Sequence, residues 1–153
     1  MHWRTGSEIQ QGLERAFNAI LADRMQDVPL VNSALSVQAL PFRCTGDDWL
    51  GILVTPWSMN LMVFPGPNSA WQQLPLGAKF SRELPYGSFE FTLAAEPALG
   101  RYGQCSLFSP MLQFADQAAA IAAAEAALNG VLAAPAPRSV SRRDLLRGKL
   151  RGA

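Results

Sequence analysis

Residues Trp49–Ala78 read WLGILVTPWSMNLMVFPGPNSAWQQLPLGA, thirty positions without one charged side chain in a chain that is 16% charged. The stretch also holds three of the four tryptophans. Its length would suit a membrane helix, but Pro56, Pro65, Pro67 and Pro75 interrupt it. Each proline removes a backbone donor, and hydrocarbon offers nothing to satisfy the carbonyl left behind. Two buried strands and an apolar loop fit better. Gly51–Thr55 predicts one strand and Asn60–Phe64 the next, with Pro56-Trp57-Ser58-Met59 turning between them. The segment Pro65-Gly-Pro-Asn-Ser-Ala-Trp71 has turn residues but few polar ones. It either folds back over the core or meets a partner.

Upstream, Ser7 with Gln10 three residues later reads as a capping box opening a helix. Ile9, Leu13, Phe17, Ile20, Leu21 and Met25 then share one face, each worth about 1.5–3 kcal/mol if buried. The helix should fade near Gln26, before Pro29. Leu35–Arg43 suits a strand, and Cys44-Thr-Gly-Asp-Asp48 a solvated turn. Downstream, Ala78–Leu84 is either a short helix or irregular. In Ser88–Leu93, Phe89, Phe91 and Leu93 alternate onto one face, the clearest period-two strand in the chain. Arg101–Phe108 is another strand, carrying Cys105. Alanine fills nine of the thirteen positions Ala115–Ala127, which predicts a helix with Asp116 in its first turn and Phe114, Ile121, Leu128 and Leu132 near one face. Asn129-Gly130 reads as its stop.

The order helix, strands, helix gives an α+β fold: a mainly antiparallel sheet of about five strands with an N-terminal and a C-terminal helix packed on it. The expected organisation is one globular domain over residues 1–134 and a Pro/Ala linker with a basic tail over 135–153. Arg138–Ala153 holds six basic residues against Asp144 alone, a net +5; the total of +1 leaves −4 on the body. Such asymmetry suggests an interaction tail. No apolar leader or membrane segment is evident, so a cytoplasmic location is expected.

The catalytic inventory is thin. His2 is the one histidine, no CxxC or His/Cys cluster offers metal ligands, and no phosphate-cradling glycine loop occurs. No enzyme activity, cofactor, metal, nucleic acid or stable membrane insertion is expected. Cys44 and Cys105 read as free buried thiols rather than a disulfide framework.

Thr55-Pro-Trp57, Phe64-Pro-Gly-Pro67, Leu84-Pro-Tyr-Gly87 and Cys105-Ser-Leu-Phe-Ser-Pro110 together resemble, in order and spacing, the HybE family of NiFe-hydrogenase assembly chaperones. The resemblance implies a cytoplasmic accessory protein that binds hydrogenase subunit precursors. Its partners would be the small-subunit precursor, withheld from twin-arginine export until ready, and/or the large subunit, with a rubredoxin-like maturation protein as a further partner. Some relatives carry a fused rubredoxin domain; this sequence lacks the paired CxxC motifs that its iron needs. A binding protein of this kind needs an apolar surface. The partner-binding candidates are Trp57, Phe64, Pro65, Pro67, Trp71, Tyr86 and Cys105, ordinary core being the competing reading for each.

Within the tail, Ser141-Arg-Arg-Asp-Leu-Leu146 resembles a twin-arginine export motif at the wrong end of a chain and without the apolar stretch that would follow. Arg142, Arg143, Leu145 and Leu146 could therefore imitate a client's signal and compete with it. Two alternatives stand beside this reading. In one, the basic tail docks on the large subunit or another maturation factor; in the other, Cys105 serves a redox-protective role.

Overall fold

The computed structural model describes residues 3–25 and 27–134. The tail, with Arg142, Arg143, Leu145 and Leu146, lies outside the described residues. Helix α1 (Gly6–Ile20) continues through a π-helical turn at Leu21–Met25. Seven strands follow: β1 (Gln38–Ala39), β2 (Arg43–Thr45), β3 (Asp48–Val54), β4 (Met59–Pro65), β5 (Lys79–Leu84), β6 (Gly87–Glu96) and β7 (Gly100–Phe108). Helix α2 (Gln117–Leu132) closes the described chain. The strands form one sheet in the order β1-β3-β4-β7-β6-β5, with β2 also on β3, and every pairing is antiparallel. The fold is therefore α+β. No described helix is long and apolar enough to cross a membrane.

Apart from Asp48, the thirty-residue uncharged stretch supplies two of the inner strands, β3 and β4, whose seven residue pairs run from Asp48↔Pro65 to Val54↔Met59. Both are buried on both faces, which is why the stretch reads as a continuous apolar run. Thr55 fixes the turn between them. Its Oγ1 accepts from the backbone N–H of Trp57 at 3.2 Å and of Ser58 at 3.0 Å.

Several boundaries differ from expectation. Thr5, not Ser7, caps α1, and Glu8 completes the capping box, its carboxylate accepting from the backbone N–H of Thr5. The two-residue displacement arises because both Thr5-x-x-Glu8 and Ser7-x-x-Gln10 satisfy the pattern. The expected Leu35–Arg43 strand is broken in two: Gln38–Ala39 and Arg43–Thr45 each pair with β3, and Pro41 lies in the break. Lys79–Leu84, left between helix and irregular, is the edge strand β5. Asp116 is the N-cap of α2 rather than part of its first turn, and α2 runs past Asn129-Gly130 to Leu132.

The two faces of the sheet are covered differently. Ile9 and Leu13 of α1 pack on Leu53, Met62, Phe64 and Tyr102. On the other face Ala120, Ala124, Leu128 and Val131 of α2 meet Leu50, Ile52, Leu61, Val63 and Phe91. That second face is strongly concave. Only the second half of β6 pairs with β7, from Thr92 to Glu96, while Gly87–Phe91 pairs with β5 alone. The freed β5–β6 arm folds across the sheet. Phe80 comes so close that a Cβ on Gly103 would lie 2.6 Å from its ring. Glycine is required there by close approach.

Candidate functional site

Three places on the folded chain carry more than ordinary packing. The first is a buried polar cluster that holds the arm down. Arg82 Nε of β5 lies 2.7 Å from Asp48 Oδ2 of β3. In a flat sheet these strands would stand about 19 Å apart, four strand spacings, so the ion pair measures how far the sheet has curled. The Trp71 indole N–H donates to Asp48 Oδ2 at 3.0 Å, the Ser69 hydroxyl bonds Asp48 Oδ1, and Arg82 Nη2 donates to the Thr45 carbonyl at 3.1 Å. Asp48 is 3% exposed. The expected solvated turn is thus wrong for Asp48, though right for Asp47, which is exposed.

The second place is an open apolar groove of about 390 Å³, lined by Tyr86, Phe89, Ala127, Gly130 and Val131. It forms where the tip of the arm meets the last turn of α2, joined by the Tyr86 N–H donating to the Val131 carbonyl at 3.2 Å. Tyr86 is 59% exposed over it. The described chain ends at Ala134, three residues beyond Val131.

The third place is at the opposite end of α2. The Asn32 side-chain amide donates to the carbonyls of Met111 at 3.0 Å and Phe114 at 2.8 Å. Its backbone N–H donates to the Pro56 carbonyl at 2.8 Å. One residue thereby ties together three loops that expose Leu30, Phe108 and Leu112, with Trp57 half-buried beside Pro56.

A family model described as NiFe-hydrogenase assembly, chaperone, HybE matches residues 8–148. The chain belongs to the HybE family. Protein HoxT of Cupriavidus necator is 46% identical over 134 residues, covering 80% of this chain and 75% of that one. Hydrogenase expression/formation protein HupJ of Bradyrhizobium diazoefficiens is 42% identical over 137 residues, 82% and 79% of the two chains. The solution structure of HybE from Escherichia coli superposes with a TM-score of 0.68 at 26% identity, covering 99% of this chain and 94% of that one.

Within this HybE-family fold the seven partner-binding candidates scatter. Phe64 is wholly buried between Phe42 and Tyr102, at ring distances of 5.7 and 5.4 Å, and Pro65 is buried with it. Both are core, correcting their expected place on a surface; the inner-strand position of β4 leaves them no open face. Trp71 is also inward, stacked on Phe80 at 4.6 Å and bonded to Asp48. Pro67 is exposed on the loop after β4. Only Tyr86 lines the groove and only Trp57 belongs to the uncharged end.

Cys105 is half-buried on the concave face, packed against the core. Burial pushes its thiol above the ordinary range, and the charge of Glu90 adds to this. A raised thiol holds less thiolate and is a poorer nucleophile. Cys44, expected to be a buried thiol, is exposed on β2. Neither cysteine forms a disulfide.

Sequence reading places Asp48 only in a solvated turn and does not single out Arg82 or Asn32. Their partners lie 21 or more positions away, and no local pattern announces a buried ion pair or a single brace. Leu112 and Phe108 carried one usable signal, since residues 102–115 contain no charge.

Proposed function

We propose that this HybE-family chain is a non-catalytic cytoplasmic chaperone that binds NiFe-hydrogenase subunit precursors, including a small subunit bearing a twin-arginine signal, before export. The observation that carries a binding role is the groove under Tyr86, an open apolar surface beside the last turn of α2. Burying an apolar segment there is favourable at about 25 cal/mol per Å². In this reading Arg142, Arg143, Leu145 and Leu146 imitate the client's signal and compete for the same site, helped by the high effective concentration of a tethered segment. Trp57, Pro67 and Tyr86 remain the surface contacts among the sequence candidates.

The test is the affinity of the intact chain for a hydrogenase small-subunit signal peptide, compared with Arg142→Ala/Arg143→Ala and with Tyr86→Ser. Tighter binding by the double arginine variant and weaker binding by Tyr86→Ser are expected. Unaltered affinity in the arginine variant ends the competition idea. Weaker binding there makes the tail part of the client contact, as in docking on a large subunit or another maturation factor. Absence of binding by every form moves the client to the large subunit.

A further inference from the structure

Strand β5 ends the sheet, and among the described residues no other strand or helix runs alongside its outer side. Its backbone bonds alternate. The Ala78 carbonyl accepts from the Leu93 N–H at 2.8 Å, and the register runs from Lys79↔Thr92 to Leu84↔Gly87. Phe80, Arg82 and Leu84 therefore turn their backbone groups toward β6, while Lys79, Ser81 and Glu83 turn theirs outward. Among the described residues none bonds those outward N–H and C=O groups. The side chains divide in the same way. Phe80, Arg82 and Leu84 face the core, whereas Lys79, Ser81 and Glu83 are exposed.

An open edge accepts a further strand, and charged side chains ordinarily keep foreign strands off it. Here the charges have a symmetry. Lys79 and Glu83, of opposite sign, stand two positions either side of Ser81. When a second copy is turned antiparallel about Ser81, each Lys79 lies opposite Glu83 of the other copy, and Ser81 lies opposite Ser81. These are the residues whose backbone groups point outward, so one register satisfies both backbone and charge. A shift of two residues in one direction sets Lys79 against Ser81, and in the other Arg82 against Arg82; both lose the charge pairs. Directly opposed charges of unlike sign favour strand pairing, and like charges oppose it.

The flanks of the strand agree. Leu76 at 61% and Tyr86 at 59% are the most exposed of the large hydrophobics described. Each lies five positions from Ser81, so the same two-fold brings Leu76 of one copy beside Tyr86 of the other. The remaining charges do not conflict. Lys79 Nζ makes one long bond, to Thr92 Oγ1 at 3.3 Å, and keeps two protons for a carboxylate. Arg82 already has Asp48 as counter-ion. Glu90 lies opposite Ser81 on β6, three strand spacings or roughly 14 Å from its own copy, beyond the screening length of ~8 Å at physiological salt.

We propose that this chain pairs with a second copy of itself, β5 against β5 and antiparallel about Ser81, so that one sheet continues across both molecules. An unrelated strand would need lysine and glutamate at matching positions, whereas a second copy supplies them by symmetry. This goes beyond the client-binding reading and does not depend on it. Six residues of shared edge make a small interface, of the weak and reversible kind.

The test is sedimentation equilibrium of the full chain from about 1 to 300 μM, a range that brackets the micromolar affinity of small interfaces. A monomer–dimer equilibrium is expected. Lys79→Glu and Glu83→Lys should each weaken it about tenfold, since each opposes like charges at two places in the ribbon. The double variant Lys79→Glu/Glu83→Lys should regain the parent affinity. The two side chains stand about 13 Å apart along one strand, so recovery reports contact between copies. Ser81→Pro removes an outward N–H at the axis and should abolish the dimer, proline being tolerated where an edge N–H faces solvent. Circular dichroism checks that each variant is folded; if Ser81→Pro is not, the charge variants decide. A chain that stays monomeric throughout overturns the proposal and leaves the chaperone reading standing. Dimers that survive both single charge variants put the contact on another face and overturn it as well. Failure of the double variant to regain affinity overturns the register about Ser81.

Discussion

Helix α1 lays Ile9 and Leu13 on the convex face of the sheet, whereas α2 puts Ala120 and Ala124 against the concave one. The difference comes from the space each face leaves. A convex surface falls away from a helix, so large side chains must fill the gap. The concave face is already crowded by the β5–β6 arm, with Phe80 stacked between Trp71 at 4.6 Å and Phe91 at 5.8 Å. A helix entering that space fits only with methyl groups along its middle. Composition alone makes α2 look like a helix of high propensity and thin stripe. Of its eight alanines only Ala120 and Ala124 are buried, and these two, with Leu128 and Val131, are what α2 sets against the sheet.

The sharpest way to break this contrast is to release the arm. Asp48→Ala leaves Arg82 without its counter-ion and Trp71 without its acceptor; loss of about 3–5 kcal/mol is expected, read by urea denaturation. A loss under about 1 kcal/mol would mean that the curl is held by apolar contacts alone.

The helices themselves should respond in opposite senses to a change of size. Leu13→Ala on the convex side should cost about 2–5 kcal/mol through the cavity it leaves. Ala124→Leu on the concave side should cost about 1–3 kcal/mol through overpacking. Thermal or chemical unfolding of both variants checks the pair. If Ala124→Leu proved neutral or stabilising, the concave face would have room and the account of α2 would fail.

Tyr102 offers a probe of the convex side that changes no volume. Burial, with a further contribution from Glu96, pushes its phenol up to about 12. The folded state thus holds the proton more tightly than the unfolded chain, whose phenol titrates near 10. Stability from this source is complete below about pH 10 and falls as pH rises toward 12, by roughly 2–3 kcal/mol in all. Melting temperatures taken between those limits should fall less steeply in Tyr102→Phe than in the parent.

The smallest effect is local to α1. Thr5→Ala removes the hydroxyl that accepts from Glu8 N–H at 3.1 Å, and about 1 kcal/mol should be lost. Ser7→Ala, outside the cap, should change stability by less than about 0.5 kcal/mol. Reversal of that order would return the cap to Ser7.

The candidate site was only partly readable. Trp57 comes from the uncharged run and Tyr86 from Leu84-Pro-Tyr-Gly87, and they fall at the edges of two different surfaces. Phe64, Pro65 and Trp71 come from the same uncharged run and lie inside, because a run buried on both faces carries no mark of which residues stay accessible. Phe89 and Val131 of the groove belong to elements whose periodicity was plain, but a groove arises only where two elements meet.

By itself the sequence determined the class of the fold, since a charge-free run broken by prolines must form inner strands, and alternation at Phe89, Phe91 and Leu93 must form a half-buried one. It also carried the family, through four short motifs kept in order. Tertiary structure alone decided that β5 lifts away with β6 and returns to Asp48, that Asn32 gathers three uncharged loops, and that Ala120 and Ala124 meet the concave sheet beside Leu128 and Val131. Local periodicity reports which side of an element faces inward. How much room lies there depends on contacts between residues tens of positions apart, which no local pattern encodes.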